Sequence, residues 1–147
     1  MDIRILAVGK SKDYLGQDIV SEFTSRLVHY TDIDWTFIPN IDVDAEGEKM
    51  LKLIPTDAFV VMLDDKGRQL TSLELADFLQ KKQNESLRNM VFVIGGAYGF
   101  SDTVKKRANY ALSLSKLTFP HEFVRAILSE ALYRAFTITK GEKYHHE

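Results

Sequence analysis

"MVFVIGG", residues 90–96, carries the architecture: five apolar side chains stand in an unbroken row, three of them β-branched, and the row stops on two glycines. A strand with one wet face alternates apolar with polar residues, whereas a continuous row marks a strand covered on both faces. Two other runs share that look, "IRILAVG" at 3–9 and "AFVVMLD" at 58–64. "DWTFIP" at 34–39 and "ALSLS" at 111–115 are weaker strand candidates.

The intervals between these runs read as helices. Leu15, Ile19, Phe23 and Leu27 recur every fourth residue, one apolar stripe for a helix to lay on a sheet. Asp44 can cap a short helix through about Leu53, ended near Pro55. Thr71 with Glu74 has capping-box spacing, and Leu75, Phe78 and Leu79 supply the inward face that follows. Pro120 suits a first helical turn, after which "HEFVRAILSEALYRAFTIT" runs to about Thr139. Val124, Ile127, Leu128, Ala131, Ala135 and Ile138 form one stripe of that helix, while Phe123, Leu132, Tyr133 and Phe136 point elsewhere. One sheet face cannot cover all of them, so a homodimer through this helix is expected. The β-α alternation predicts an α/β fold, a mostly parallel sheet flanked by helices, in a single domain over residues 1–147.

Composition narrows the class. The chain is 45% hydrophobic and 27% charged, has no run near the roughly 18 apolar residues of a membrane helix, and starts without a signal-peptide pattern. A cytoplasmic protein with no membrane partner is expected. The absence of cysteine excludes disulfides, thiolate metal sites and cysteine nucleophiles. Net charge is −2, but residues 1–80 carry 8 Lys and Arg against 15 Asp and Glu, and residues 81–147 carry 11 against 6. The basic second half permits a nucleic-acid surface on one side of the fold, or is an accident of a solvated surface.

Several motifs sit at the ends of the strands. "VIGGAYGF" places Gly95, Gly96 and Gly99 directly after one, where glycine gives either a plain tight turn or a close backbone approach to a ligand. The spacing is neither G-x-G-x-x-G nor a P-loop, so a phosphate cradle is poorly supported. Ser113, Ser115 and Thr118 either satisfy an awkward loop or orient a ligand. His121 and Arg125 share a helix face one turn apart, the arginine needing an anionic partner from protein or substrate. Asp64 and Asp65 serve the turn into "KGRQL" better than they serve acid–base work. His29, on the first helix, His121 and the adjacent His145 and His146 have no metal-ligand spacing, so no metal is expected. The terminal "YHHE" is either a mobile end, or a pair in which Tyr144 stacks or donates and His145 handles a proton.

Taken together, "FVIGGAYGF", "LSLSKLTFPHEFVRAILSEALYRA" and the terminal "YHH", with "ILAVGK" and "VMLDDKG" ahead of them, resemble the ribosomal RNA large subunit methyltransferase H family of the SPOUT class. The resemblance covers nearly the whole chain. It implies transfer of a methyl group from S-adenosylmethionine to N3 of a pseudouridine in large-subunit rRNA, with the rRNA or the assembled ribosome as partner. It also implies a C-terminal trefoil knot, which ordinary topology rules would not suggest, and a homodimer. The implied cofactor contacts are Leu63, Gly95, Gly96, Gly99 and the connection Leu114, Ser115, Lys116, Leu117, Thr118 and Phe119. The implied methyl-transfer residues are Tyr144 to position the base and His145 to remove or relay the N3 proton. Arg125 would favour the developing anion or hold RNA backbone, and His121 is a second base candidate. His146 stands where many relatives have Arg or Lys. The competing readings are a SPOUT methyltransferase acting on another RNA base and a noncatalytic ribosome-associated RNA-binding module.

Overall fold

The computed structural model describes residues 1–9 and 16–146. Five strands, β1 (Asp2–Val8), β2 (Ile33–Ile38), β3 (Phe59–Gln69), β4 (Asn89–Ile94) and β5 (Tyr110–Ser113), form one sheet in the order β2-β1-β4-β3-β5. Every pairing is parallel. The helices are α1 (Gln17–Leu27), α2 (Val43–Leu53), α3 (Ser72–Asn84), α4 (Asp102–Arg107) and α5 (His121–Lys140).

The continuous apolar rows divide between two faces, as the period of two requires. Ile3, Ile5, Ala7, Val61, Leu63, Met90, Phe92 and Ile94 pack with Leu27 of α1, Leu75 and Leu79 of α3, and Leu128 and Leu132 of α5. Leu6, Val8, Val60, Met62, Val91 and Val93 pack with Met50 of α2 and Val104 of α4 on the other side. The steps β1→β2 and β3→β4 run toward the β2 edge through helices of the first face. The steps β2→β3 and β4→β5 run the opposite way through helices of the second. Reversing direction and face together preserves handedness, so all four crossovers share one hand, the regularity expected of parallel sheets.

The helix ends differ from the sequence expectation in instructive ways. Asp42, not Asp44, caps α2: its Oδ1 accepts the Ala45 amide at 2.9 Å, and Asp44 lies in the first turn, where a carboxylate still favours the helix dipole. The Thr71–Glu74 capping box of α3 is present in both directions. In α1, Ile19 is 48% exposed and Val20 and Leu27 are buried, so the fourth-residue stripe drifts off the sheet; Leu15 lies outside the described residues. His29 falls just past the end of α1. α5 packs against both α1 and α3, which is why Leu132 and Phe136, off the expected stripe, are core residues, while Ile127, on it, is 36% exposed.

β3 is longer than its apolar row. Leu63 and Arg68 both register against Leu112, so residues 64–67 leave the ladder and return to it. A Cβ on Gly67 would lie 2.6 Å from the carbonyl carbon of Ala111, too close for any side chain at the point of return.

Candidate functional site

Parallel sheets bind ligands at the carboxyl edge, and the edge here is built by three neighbouring strand ends. β4 runs into the turn Gly95–Gly99, closed by the Gly99 amide donating to the Gly96 carbonyl at 3.1 Å. Gly99 has φ +79°, a backbone state that glycine adopts freely, and no atom lies within 4 Å of where its Cβ would stand. A Cβ on Gly95 would meet the Gly99 carbonyl oxygen at 2.9 Å, and one on Gly96 would meet Val8 at 3.1 Å. Gly99 therefore presents bare backbone outward, while Gly95 and Gly96 allow close packing, and Tyr98 within the turn is 91% exposed.

Next to this turn, Leu63 ends the apolar row of β3, and the connection Leu114–Phe119 leaves β5. The hydroxyls here bond locally. Ser113 Oγ lies 3.1 Å from the Asp65 carbonyl and 2.8 Å from that of Ser115, Ser115 Oγ accepts the Leu117 amide at 3.0 Å, and Thr118 Oγ1 donates to Asp65 at 2.8 Å. Asp64 accepts the Lys66 amide at 3.0 Å, the turn role expected of it, though within β3 rather than after it. These bonds tie the 64–67 excursion to the connection and leave Lys116 and Leu117 outward, the latter 69% exposed.

A second group gathers over the end of β1. Arg125 is fully buried, its Nη2 donates to the Val8 carbonyl at 2.8 Å, and its guanidinium lies 4.9 Å from the centre of the Phe37 ring. His121 Nε2 stands 3.2 Å from where a Cβ on Gly9 would be, and Gly9 has φ +115°. Arg125 thus braces the first turns of α5 against β1; with no exposed surface, it does not reach an RNA phosphate in this arrangement.

The tail forms a third group. Gly141, at φ +71°, ends α5 and turns the chain back, its amide bonding Ile138 and that of Glu142 bonding Thr137. Tyr144 then meets Tyr133 edge-on at 4.7 Å, the Arg134 guanidinium lies 4.7 Å from the Tyr144 ring centre, and Arg134 Nη1 lies 3.0 Å from His145 Nδ1. Glu130 accepts from Arg134 Nε at 2.8 Å, which raises the arginine's pKa and keeps it cationic. Burial, then the charge of Glu130, pushes the Tyr144 phenol above its usual range, so it is a proton-bearing donor at neutral pH. The tail is therefore docked, not frayed.

Sequence reasoning named Tyr144, His145, His121 and Arg125 but missed the residues that hold the tail: Tyr30, Glu130, Tyr133, Arg134 and Glu142. The i,i+4 spacing of Glu130 and Arg134 was a readable signal. Tyr30, 112 residues from its partner Glu142, offered none. The glycine turn and Arg125 both reach Val8 at the end of β1, but the tail does not meet these two groups in one chain. His121 and Arg134 are thirteen residues apart on one helix, about 20 Å along its axis. A cleft at the opposite, amino edge, between Asp2, Arg4, Asp32, Asp34 and Asn89, contains none of these residues. Among the described residues, no helix is long and apolar enough to cross a membrane, and no group of three or more His, Cys, Asp or Glu could hold a metal ion.

Comparison with known proteins adds independent findings. A family model described as "Predicted SPOUT methyltransferase" matches residues 1–145. Similar curated proteins, each a ribosomal RNA large subunit methyltransferase H, include that of Geobacter metallireducens, 43% identical with 99% of both chains covered. That of Geotalea daltonii is 42% identical over 99% of this chain and 100% of its own. That of Christiangramia forsetii is 40% identical over 99% of each. Among solved structures, a probable methylase family protein from Haemophilus influenzae superposes with TM-score 0.53 at 12% identity, covering 99% of this chain and 70% of that one, a likeness of fold.

Proposed function

The chain belongs to the SPOUT methyltransferase family and, within it, to the ribosomal RNA large subunit methyltransferase H proteins, and from that premise we propose that it methylates N3 of a pseudouridine in large-subunit rRNA, as a homodimer in the cytoplasm. The observation that carries the reading is full-length identity of about two residues in five with enzymes of that name, in a chain whose Tyr144 and His145 are held in place. We place one SPOUT domain over residues 1–147, with its trefoil knot in the return from β4 across β3 to β5 and α5.

The donor set fits S-adenosylmethionine. The turn after β4 offers open, side-chain-free backbone at Gly99, and the neighbouring connection offers exposed apolar surface at Leu117. Leu63, Gly95, Gly96, Gly99 and Leu114 to Phe119 (Leu114, Ser115, Lys116, Leu117, Thr118 and Phe119) would hold it, with His121 at the margin. When bound, it supplies a methyl group on a positively charged sulfur, which keeps the bonding pair as N3 forms the new bond. The protein's task is then to bring an accessible N3 into line and to stabilise the base as its proton leaves.

The separation of about 20 Å supports the homodimer. Phe123 and Ile127 are 38% and 36% exposed one turn apart on α5, and Ile127 lies at the midpoint between His121 and Arg134. A two-fold axis there, with two α5 helices antiparallel, carries the tail of one copy to the cofactor edge of the other. Labelled-methyl transfer to ribosomes or large subunits lacking the modification tests the function. Incorporation at N3 that requires the pseudouridine supports it. Methylation of another base, or RNA binding without transfer, overturns it.

A further inference from the structure

The contact between Arg134 and His145 has a chemical direction. A guanidinium has only donors, and Glu130 holds this one cationic, so at 3.0 Å His145 Nδ1 must be the acceptor. An imidazole nitrogen that accepts carries no hydrogen. The neutral ring then bears its one hydrogen on Nε2.

We propose that Arg134 is a positioning residue that fixes His145 as the Nε2–H tautomer, so that His145 acts on the pyrimidine as a hydrogen-bond donor and not as the base that takes the N3 proton. The role in catalysis rests on the proposed function; the tautomer does not. With Nδ1 occupied and Nε2 protonated, His145 has no lone pair to receive a proton unless it gives up Arg134. A donor is what the reaction needs on the other side of the balance. As N3–H ionises, negative charge spreads onto the two ring carbonyl oxygens that flank N3, and a donor aimed at either one stabilises it. Tyr144, docked against Tyr133 and Arg134, brings a second donor, its O–H, to the same end of the tail. The N3 proton leaves to water, and N3 takes the methyl group with the charge balance closed by loss of the positive charge on sulfur.

Two experiments decide it. In the full chain labelled with 15N-histidine, two-bond ring correlations at neutral pH assign the tautomer of each imidazole. His145 is expected as Nε2–H, and Arg134→Met is expected to return it to the mixture of a solvated histidine; an Nδ1–H majority in the unaltered protein overturns the proposal. In methyl transfer, His145→Gln places an amide N–H where Nε2–H stood but cannot accept a proton as a base. Loss of a true base costs roughly 10²–10⁴-fold whichever residue replaces it. His145→Gln is therefore expected to lose at least tenfold less rate than His145→Ala, with cofactor affinity unchanged in both. Equal losses in the two variants overturn the donor role. If the unaltered protein transfers no methyl group to rRNA, the proposed function fails while the NMR result still decides the tautomer.

Discussion

The phenol of Tyr30, just beyond α1, donates to the carboxylate of Glu142 at the start of the tail across 2.7 Å. The same ring stacks on Phe136 at 5.8 Å and meets Tyr133 edge-on at 6.1 Å, and Tyr133 in turn meets Tyr144. One side chain from the first third of the sequence thereby sets where the last residues lie.

Tyr30→Phe keeps the stacking and deletes the donor. A hydrogen bond to a charged acceptor contributes about 1.5–3 kcal/mol when well formed, and partial exposure puts the expected loss near the lower end. Urea unfolding measures it, and the double variant with Glu142→Gln should lose less than the sum of the two singles.

The same bond predicts an alkaline limit. The hydrogen bond to Glu142, then burial, pushes the Tyr30 pKa up to about 12. Because the folded value lies above the unfolded one, the contribution is fully present below about pH 10 and fades as pH rises toward 12. Unfolding followed from pH 8 to 12 should show that loss in the native chain and not in Tyr30→Phe.

Gly47 of α2 is buried against the N-cap of α4. An added Cβ would collide with Ser101 Oγ and stand 3.0 Å from Ser101 Cβ and 3.2 Å from Val104. Alanine normally gains about 1 kcal/mol over glycine inside a helix. Here it must displace the serine that caps α4, and overpacking of this kind costs about 1–3 kcal/mol with a lost cap adding about 1. Gly47→Ala should therefore destabilise, read as a lower urea midpoint with unchanged slope.

Arg125 and Arg134 should part company. Arg125, fully buried on the Val8 carbonyl, should cost about 2–4 kcal/mol when changed to Ala, through a lost charge-assisted bond and a cavity. Arg134, partly exposed beside Glu130, should cost under about 1 kcal/mol while lowering methyl transfer. Melting and transfer assays on both variants separate the two roles.

The proposed sharing of the site between copies predicts complementation. His145→Ala leaves the cofactor edge intact, and Gly99→Glu fills the open space beside the turn but leaves the tail intact. Subunit exchange between the two inactive dimers should restore about one quarter of native sites. No recovery after verified exchange would mean that each tail serves its own chain.

The three predominantly apolar rows, interrupted only by Arg4 in the first, were legible because burial on both faces removes the alternation a strand otherwise shows, and they became β1, β3 and β4. The capping box at Thr71 was equally legible, being a local bond between near neighbours. The stripe of α5 was not. It is wedged between α1 and α3, so Leu132 and Phe136 are covered by helices whose position no periodicity within α5 encodes. The excursion at 64–67 escaped notice because it exists only against β5, and the anchoring of Glu142 because its partner Tyr30 lies 112 residues away. Tyr144 and His145 were named by family likeness; their geometry came from Tyr30, Tyr133 and Arg134.

The strand order also sets a timetable. β1 occupies residues 2–8 and pairs on one side with β4, residues 89–94. At about 5–20 residues per second, synthesis separates the two by several seconds, roughly 4 to 16. Through that interval one side of β1 has no native neighbour, and the nascent chain must keep its unpaired N–H and C=O groups away from other strands until its own partner emerges.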